Sequence, residues 1–241
     1  MLEPWRTGIV IKTEDATPTT RRFWIQVPEL EVFHFIPGQF VTLDLPIHEK
    51  RNKRWRSYSI ASAPDGTNIF ELVIVWLEDG AGTTYLFNEI KTGSEILLRG
   101  PQGVFVLPEN IDKDLFLICT GTGIAPFRSM VQQIYMNHIM HKNIYLIFGC
   151  RTLQDTLYEK ELTNLEKHLE GFYYMPVFSR EQPNDDLRTG YVHGVYEKII
   201  GELRPNASFF LCGWKNMIDE AREKIASIGY DKKDIHFELY G

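Results

Sequence analysis

Cysteine is scarce in this 241-residue sequence. There are three, Cys119, Cys150 and Cys212, and no Cys-x-x-Cys pair. That excludes the spacing of a zinc knuckle or an iron–sulfur ligand run. An odd, sparse set without a recognisable signal peptide fits free thiols in a reducing cytoplasm. The opening MLEPWRTGIV lacks a basic start followed by an apolar core, and no apolar run is long enough to span a bilayer, so the expectation is a soluble cytoplasmic protein. Positive charge is also in short supply: 26 Lys and Arg stand against 32 Asp and Glu, a net charge of −6. A general nucleic-acid binder is not expected on that ground. Internal repeats and low-complexity tracts are missing too. What remains is ordinary globular composition, 44% hydrophobic and 24% charged, in a chain long enough for two domains.

Two halves differ in period. Up to about residue 110 the pattern is that of strands. Phe23, Ile25 and Val27 alternate with Trp24 and Gln26; Val41, Leu43 and Leu45 alternate after the Pro37-Gly38 turn; Phe70 to Trp76 is a β-branched and aromatic run. Short strands between Pro, Gly and Asp turns predict an antiparallel β-barrel, with one helix over Thr83 to Ile90. PENIDKD (108–114) reads as the linker. From there short apolar runs, LFLIC (115–119), IYLIF (144–148), YYMPVF (173–178) and SFFLC (208–212), alternate with helical spacings. Examples are Phe127, Met130, Val131, Ile134 and then Ile218, Ala221, Ile225, Ile228 before Gly229. Strand–helix alternation predicts an α/β doubly wound parallel sheet over 111–241.

Three stretches carry chemistry. In RWRSYSIAS (54–62), an extended strand puts Arg56 and Tyr58 on one face and Ser59 on the other. A cation, an aromatic plane and a hydroxyl suit a flat phosphorylated cofactor, though a half-buried strand also explains them. In LICTGTGIAPF (117–127) an apolar strand runs into Thr120-Gly121-Thr122-Gly123, with a helix expected near Pro126. Glycines admit a close ligand, and a helix start offers free N–H groups to phosphate. The same pattern also describes a plain strand–helix turn. DGAGTTYL (79–86) repeats the idea in the first half: Ala81, Gly82 and Thr83 precede the predicted helix, as a second phosphate loop or as a hairpin loop with Thr83 as N-cap.

In order along the chain, RSYSIAS, GAGTTYL, GPQGVF (100–105), TGTGIAPF (120–127), FSRE (178–181), LCG (211–213) and ELYG (238–241) resemble the ferredoxin–NADP reductase family. The resemblance covers nearly the whole sequence. It implies a barrel that binds FAD and an α/β domain that binds NADP(H). It further implies that Tyr58 flanks the flavin ring, Arg56 neutralises the FAD pyrophosphate and Ser59 lies near flavin N5. Val73 and Val75 fall on the strand that contacts the adenosine portion, and Ala81, Gly82 and Thr83 on its pyrophosphate loop. Cys212, followed by Gly213, resembles the family's cysteine at the nicotinamide edge, although most cysteines on apolar strands are structural. Glu238 and Tyr240 resemble the C-terminal Glu-x-Tyr, with Tyr240 stacking on the flavin and Glu238 orienting nicotinamide and relaying protons with Ser59. Gly241 extends one residue past the usual plant-type end.

Nucleotide choice and partner are read from charge. Ser179, Arg180, Arg188, Tyr191 and Arg151 are candidates for the 2′-phosphate of NADP, against the nearby acids Glu181, Asp185 and Asp186, which would suit NAD. HEKRNKRWR (48–56) concentrates Lys50, Arg51, Lys53 and Arg54 before the flavin motif. Such a run is a solvated loop or a docking patch for a separate acidic carrier, a ferredoxin or flavodoxin. The reading is an NADPH-dependent FAD reductase exchanging single electrons with that carrier. The alternatives are an NADH-dependent component serving an oxygenase or haem protein, and a nucleotide-binding regulatory protein with a degenerate site.

Overall fold

The computed structural model describes residues 3–183 and 185–240. Gly241 lies outside the described residues. The chain forms two compact units: one runs through Val106 and also takes Ala125–Gln133, the other comprises Leu107–Ile124 and the residues from Ile134 onward.

The first unit contains β1 (Trp5–Thr17), β2 (Thr20–Gln26), β3 (Phe40–Asp44), β4 (Trp55–Ser59), β5 (Ile69–Val75), α1 (Ala81–Asn88) and β6 (Glu95–Gln102). Its sheet has the order β4-β3-β6-β1-β2-β5, and every pairing is antiparallel. The two edge strands meet just beyond β4, where Ile60 bridges Leu72 and the Ala61 N–H donates to the Glu71 carbonyl at 2.8 Å. That contact closes the sheet into a barrel. The alternation expected of Phe23/Ile25/Val27 and Val41/Leu43/Leu45 is the core itself: all six are buried, with Phe70, Leu72 and Leu98. Each such side chain contributes about 1.5–3 kcal/mol through burial. The helix starts two residues earlier than its spacing predicts, at Ala81, and β5 stops at Val75, leaving Trp76 exposed.

The second unit is built on β7 (Asp114–Thr120), β8 (Ile144–Cys150), β9 (Phe172–Phe178), β10 (Ala207–Trp214) and β11 (Ile235–Tyr240), in the order β11-β10-β7-β8-β9 and parallel throughout. The helices between these strands are α2 (Ile124–Met136), whose Ala125–Gln133 belongs to the first unit, and α3 (Glu159–His168), α4 (Val192–Leu203) and α5 (Lys215–Ile228). Strands buried on both faces need continuous apolar sequence, which explains the short runs LFLIC and SFFLC. Gly229 ends α5 with φ of 110°, a left-handed cap that suits glycine. Asp114, at the end of the expected linker, already belongs to β7 and accepts from the Asn143 backbone N–H at 3.1 Å. The strand order reverses between β7 and β10, and in open α/β sheets ligands bind at the carboxyl ends of strands beside such a switch. No helix among the described residues is long and apolar enough to cross a membrane.

Candidate functional site

In the barrel unit, the register puts Arg56 opposite Leu43 and Tyr58 opposite Val41, both core residues, while Ser59 lies opposite Phe40 on the other face. The split of RWRSYSIAS between two faces is therefore as its strand periodicity predicts. Tyr58 packs partly against the barrel core, and burial pushes its phenol up to about 12, with the Arg56 charge opposing. Ser59 is 3% exposed. Val73 and Val75 alternate with the core residues Leu72 and Ile74, so they face away from the barrel interior.

Arg56 and the start of α1 come together. The Arg56 guanidinium donates to the carbonyls of Lys53 at 3.1 Å and Trp55 at 2.8 Å. These bonds fix the side chain across Gly82, where an added Cβ would stand 3.0 Å from Arg56 Cγ and 3.2 Å from Nε. A glycine is what lets the guanidinium lie against the first turn. That turn carries no acid, and its N-cap is Gly80, which has no side chain to occupy the first N–H groups. An arginine fork against an uncapped helix start fits a pyrophosphate. Thr83 departs from its expected part. It is buried and is not the N-cap; its hydroxyl accepts from the Leu77 N–H at 3.1 Å and lies 3.0 Å from the Gly80 carbonyl. The hydroxyl shapes the loop, and only the backbone of Thr83 remains to face a phosphate.

The basic run also divides. Arg54 Nε lies 2.7 Å and Arg51 Nε 3.5 Å from the buried carboxylate of Asp44, and Arg51 also covers the Trp5 ring. Lys50 and Lys53 are exposed. Half of the expected docking patch is thus tied to the sheet by an acid four residues upstream of the run.

In the α/β unit, the glycine loop sits on the end of β10. A Cβ on Gly123 would stand 2.4 Å from the Cys212 carbonyl oxygen, and one on Gly213 would stand 2.5 Å from Thr120 Oγ1. Gly121 and Gly213 have φ of 55° and 136°, so the loop needs glycine for conformation as well as space. Residues Gly121–Gly123 form a single 3-10 turn, and α2 begins at Ile124, so Pro126 lies inside the first turn instead of opening it. The Thr120 hydroxyl accepts a long 3.4 Å bond from the Trp214 N–H. Glycines pressed onto a strand end at the switch point fit a dinucleotide pyrophosphate.

Cys212 stands in register with Cys119 on one side and Glu238 on the other, and Trp214 with Tyr240. Burial holds the Cys212 thiol well above its ordinary pKa, Glu238 and Cys119 push it further, and a hydrogen bond with Tyr240 opposes them. With 0% exposure this is an enclosed, neutral thiol, beside Glu238 in the sheet. Trp214, half exposed at the carboxyl end of β10, was given no part by sequence reasoning. Its only signal is its place directly after Cys212-Gly213.

The arginines beyond β8 and β9 also assemble. The Ser179 N–H donates to the Cys150 carbonyl at 3.0 Å, the Arg180 N–H to the Arg151 carbonyl at 2.8 Å, and the Phe178 N–H to the Arg188 carbonyl at 2.8 Å. Arg151, Ser179, Arg180 and Arg188 are all exposed, and Tyr191, at the N-cap of α4, is 75% exposed. Among the nearby acids, Glu181 accepts from the Leu153 N–H at 2.8 Å and so ties the connection after β9 to the one after β8.

Comparison with known proteins agrees with this division. The Oxidoreductase FAD-binding domain matches residues 7–107 and the Oxidoreductase NAD-binding domain residues 117–223. Ferredoxin--NADP reductase B of Sorangium cellulosum is 31% identical over 245 aligned positions, covering 99% of this chain and 98% of that protein. The anthranilate 1,2-dioxygenase electron transfer component of Acinetobacter baylyi is 28% identical over 189 positions, where the match covers 78% of this chain but only 53% of the relative. A ferredoxin NADP+ reductase from Neisseria gonorrhoeae, solved with bound FAD and NADP, superposes with a TM-score of 0.82 at 26% identity over 98% of both chains. The cofactors that follow from the matched domains are FAD and NAD(P)H.

Proposed function

The chain belongs to the ferredoxin–NADP reductase family, and on that premise we propose that it is an NADPH-dependent reductase passing single electrons to a separate acidic carrier. FAD, when bound, supplies the two-electron to one-electron conversion that the side chains cannot perform. The residues bind and orient. Arg56 and the first amides of α1 hold the flavin pyrophosphate, Tyr58 lies along the ring, Ser59 hydrogen-bonds near its reactive nitrogen, and Val73 and Val75 receive the adenosine end. The Gly121–Gly123 turn and Gly213 hold the nucleotide pyrophosphate. Trp214 and Tyr240 provide aromatic surface for the nicotinamide, and Glu238 holds a proton for it. Enclosed Cys212 packs beneath.

The observation that carries the NADPH reading is the convergence of Arg151, Ser179, Arg180 and Arg188 through backbone bonds at the ends of β8 and β9. Several exposed arginines on backbone segments bonded to one another suit a 2′-phosphate, whereas an NAD site uses an acid on the ribose hydroxyls. The engagement of Glu181 by the Leu153 N–H supports the same choice. Replacing Arg180 with Ala should raise KM for NADPH about tenfold or more, the loss of one charge-assisted contact of roughly 1.5–3 kcal/mol, and leave KM for NADH within about twofold. Equal changes for both nucleotides would refute the assignment.

The similarity to an oxygenase electron transfer component favours the second reading, an NADH-dependent component for an oxygenase or haem protein. Nucleotide preference separates the two. Exposed Lys50 and Lys53 would steer an acidic ferredoxin or flavodoxin toward the flavin strand. Three free thiols accord with a reducing cytoplasm.

A further inference from the structure

The strand that carries the flavin motif does not end freely. Immediately past Ser59, the segment Ala61-Ser62-Ala63 is gripped at almost every polar atom, and most of the grip comes from α2. The Ala61 N–H donates to the Glu71 carbonyl at 2.8 Å. The Ala61 carbonyl accepts from Arg128 Nη1 at 2.8 Å. The Ser62 carbonyl accepts from Ser129 Oγ at 2.6 Å, the Ser62 hydroxyl accepts from the Glu71 N–H at 3.0 Å, and the Ala63 N–H donates to Gln132 Oε1 at 3.2 Å.

The grip is anchored by charge. Glu71 is 2% exposed, on the β5 face shared with Val73 and Val75. It accepts from Arg22 Nε at 2.6 Å and Nη2 at 3.1 Å, and from Arg128 Nη1 at 3.0 Å. Arg128 is itself 6% exposed. A buried carboxylate held by two guanidinium groups is weak evidence for stability, because desolvation offsets much of the attraction. Its geometry, however, is specific: one arginine nitrogen serves the carboxylate and the Ala61 carbonyl together. Hydrophobic packing alone would hold the helix without fixing that backbone.

We propose that Arg128, locked by Glu71 and backed by Ser129 and Gln132, is a positioning residue that fixes Ala61–Ala63 and thereby sets the placement of the Ser59 hydroxyl in the flavin site. The proposal rests on the role given to Ser59 above. It assigns function to a helix residue outside every recognised motif. Displacement by about 1 Å at a reacting centre can cost up to roughly a hundredfold in rate, so a buried clamp two residues from Ser59 is well placed to matter.

The test uses Arg128→Met, Ser59→Ala and the double variant, with Ser129→Ala as the milder change should Arg128→Met fail to fold. In the FAD-free protein, amide hydrogen exchange at Ala61 and Ala63 should quicken at least tenfold in Arg128→Met, while Leu117 in β7 keeps its wild-type rate. A general loss of stability would quicken both sets. With FAD bound, flavin reduction at saturating nucleotide should slow about tenfold in Arg128→Met and recover in Arg128→Lys. The double variant should be no more than about twofold slower than the slower single one, because both changes act on one hydroxyl. Unchanged exchange at Ala61 and Ala63, unchanged reduction, or fully additive losses would each overturn the positioning role. If Ser59→Ala reduces at the wild-type rate, the role of Ser59 itself fails, a result visible without any change at Arg128, and the positioning role falls with it.

Discussion

Replacing Gly82 with Ala tests the anion cradle with opposite effects on two observables. The new Cβ would stand 3.0 Å from Arg56 Cγ and 3.2 Å from Nε, tighter than ordinary contact but against a side chain and not backbone. Arg56 must therefore shift by a few tenths of an ångström or swing away, loosening its bonds to the Lys53 and Trp55 carbonyls at 3.1 and 2.8 Å. The helix itself gains, since alanine is favoured over glycine by up to about 1 kcal/mol in a helix interior and somewhat less in a first turn. If Arg56 holds the flavin pyrophosphate, losing its alignment removes part of a charge-assisted contact of roughly 1.5–3 kcal/mol, or about a tenfold rise in Kd for FAD. Apoprotein titrated with FAD, followed by flavin fluorescence, reads the affinity; a thermal melt of the same apoprotein reads the helix. The expectation is weaker FAD binding at an equal or higher Tm. FAD affinity within twofold of wild type would refute the placement of the phosphate against Arg56 and α1. A lower Tm would show that the arginine cannot yield and that the barrel strains instead.

Two further outcomes follow from the same structure. Because Arg51 and Arg54 lie against Asp44, charge reversal at Lys50 and Lys53 should slow electron delivery to an acidic ferredoxin several-fold at low salt and leave ferricyanide reduction unchanged; equal slowing would count against docking there. Burial raises the phenols of Tyr58, Tyr145, Tyr174, Tyr196 and Tyr230 above their ordinary value of 10.0, with Tyr58 at about 12. Below pH 10 these groups are neutral in both states. Above it the unfolded chain ionises first, so urea-derived stability of the apoprotein should fall as pH rises, for Tyr58 across the window from 10 to about 12. Stability flat between pH 9 and about 11 would contradict that burial.

Much of the architecture was written in local periodicity. Alternating Phe23/Ile25/Val27 and the continuous run LFLIC reported their environments correctly, because one face buried or two faces buried leave different sequence patterns. The glycine loops were legible because close approach admits few other residues, and Gly123 and Gly213 do press onto neighbouring strands. What failed depends on partners distant in sequence. Nothing in HEKRNKRWR announces that Asp44 takes two of its arginines, and nothing in GAGTT shows that the Thr83 hydroxyl turns back to Leu77. Glu71 and Arg128 lie 57 residues apart, and each reads singly as a helix or strand position. Their pairing is a product of the fold alone.

The most direct measurement is anaerobic bleaching of the flavin's visible absorption by NADPH and by NADH on one purified, FAD-loaded sample. The account predicts much faster bleaching with NADPH, with the difference largely lost on replacing Arg180 with Ala. Faster bleaching with NADH would contradict it and identify an oxygenase-type component instead. No bleaching with either nucleotide would leave only a nucleotide-binding protein without hydride transfer.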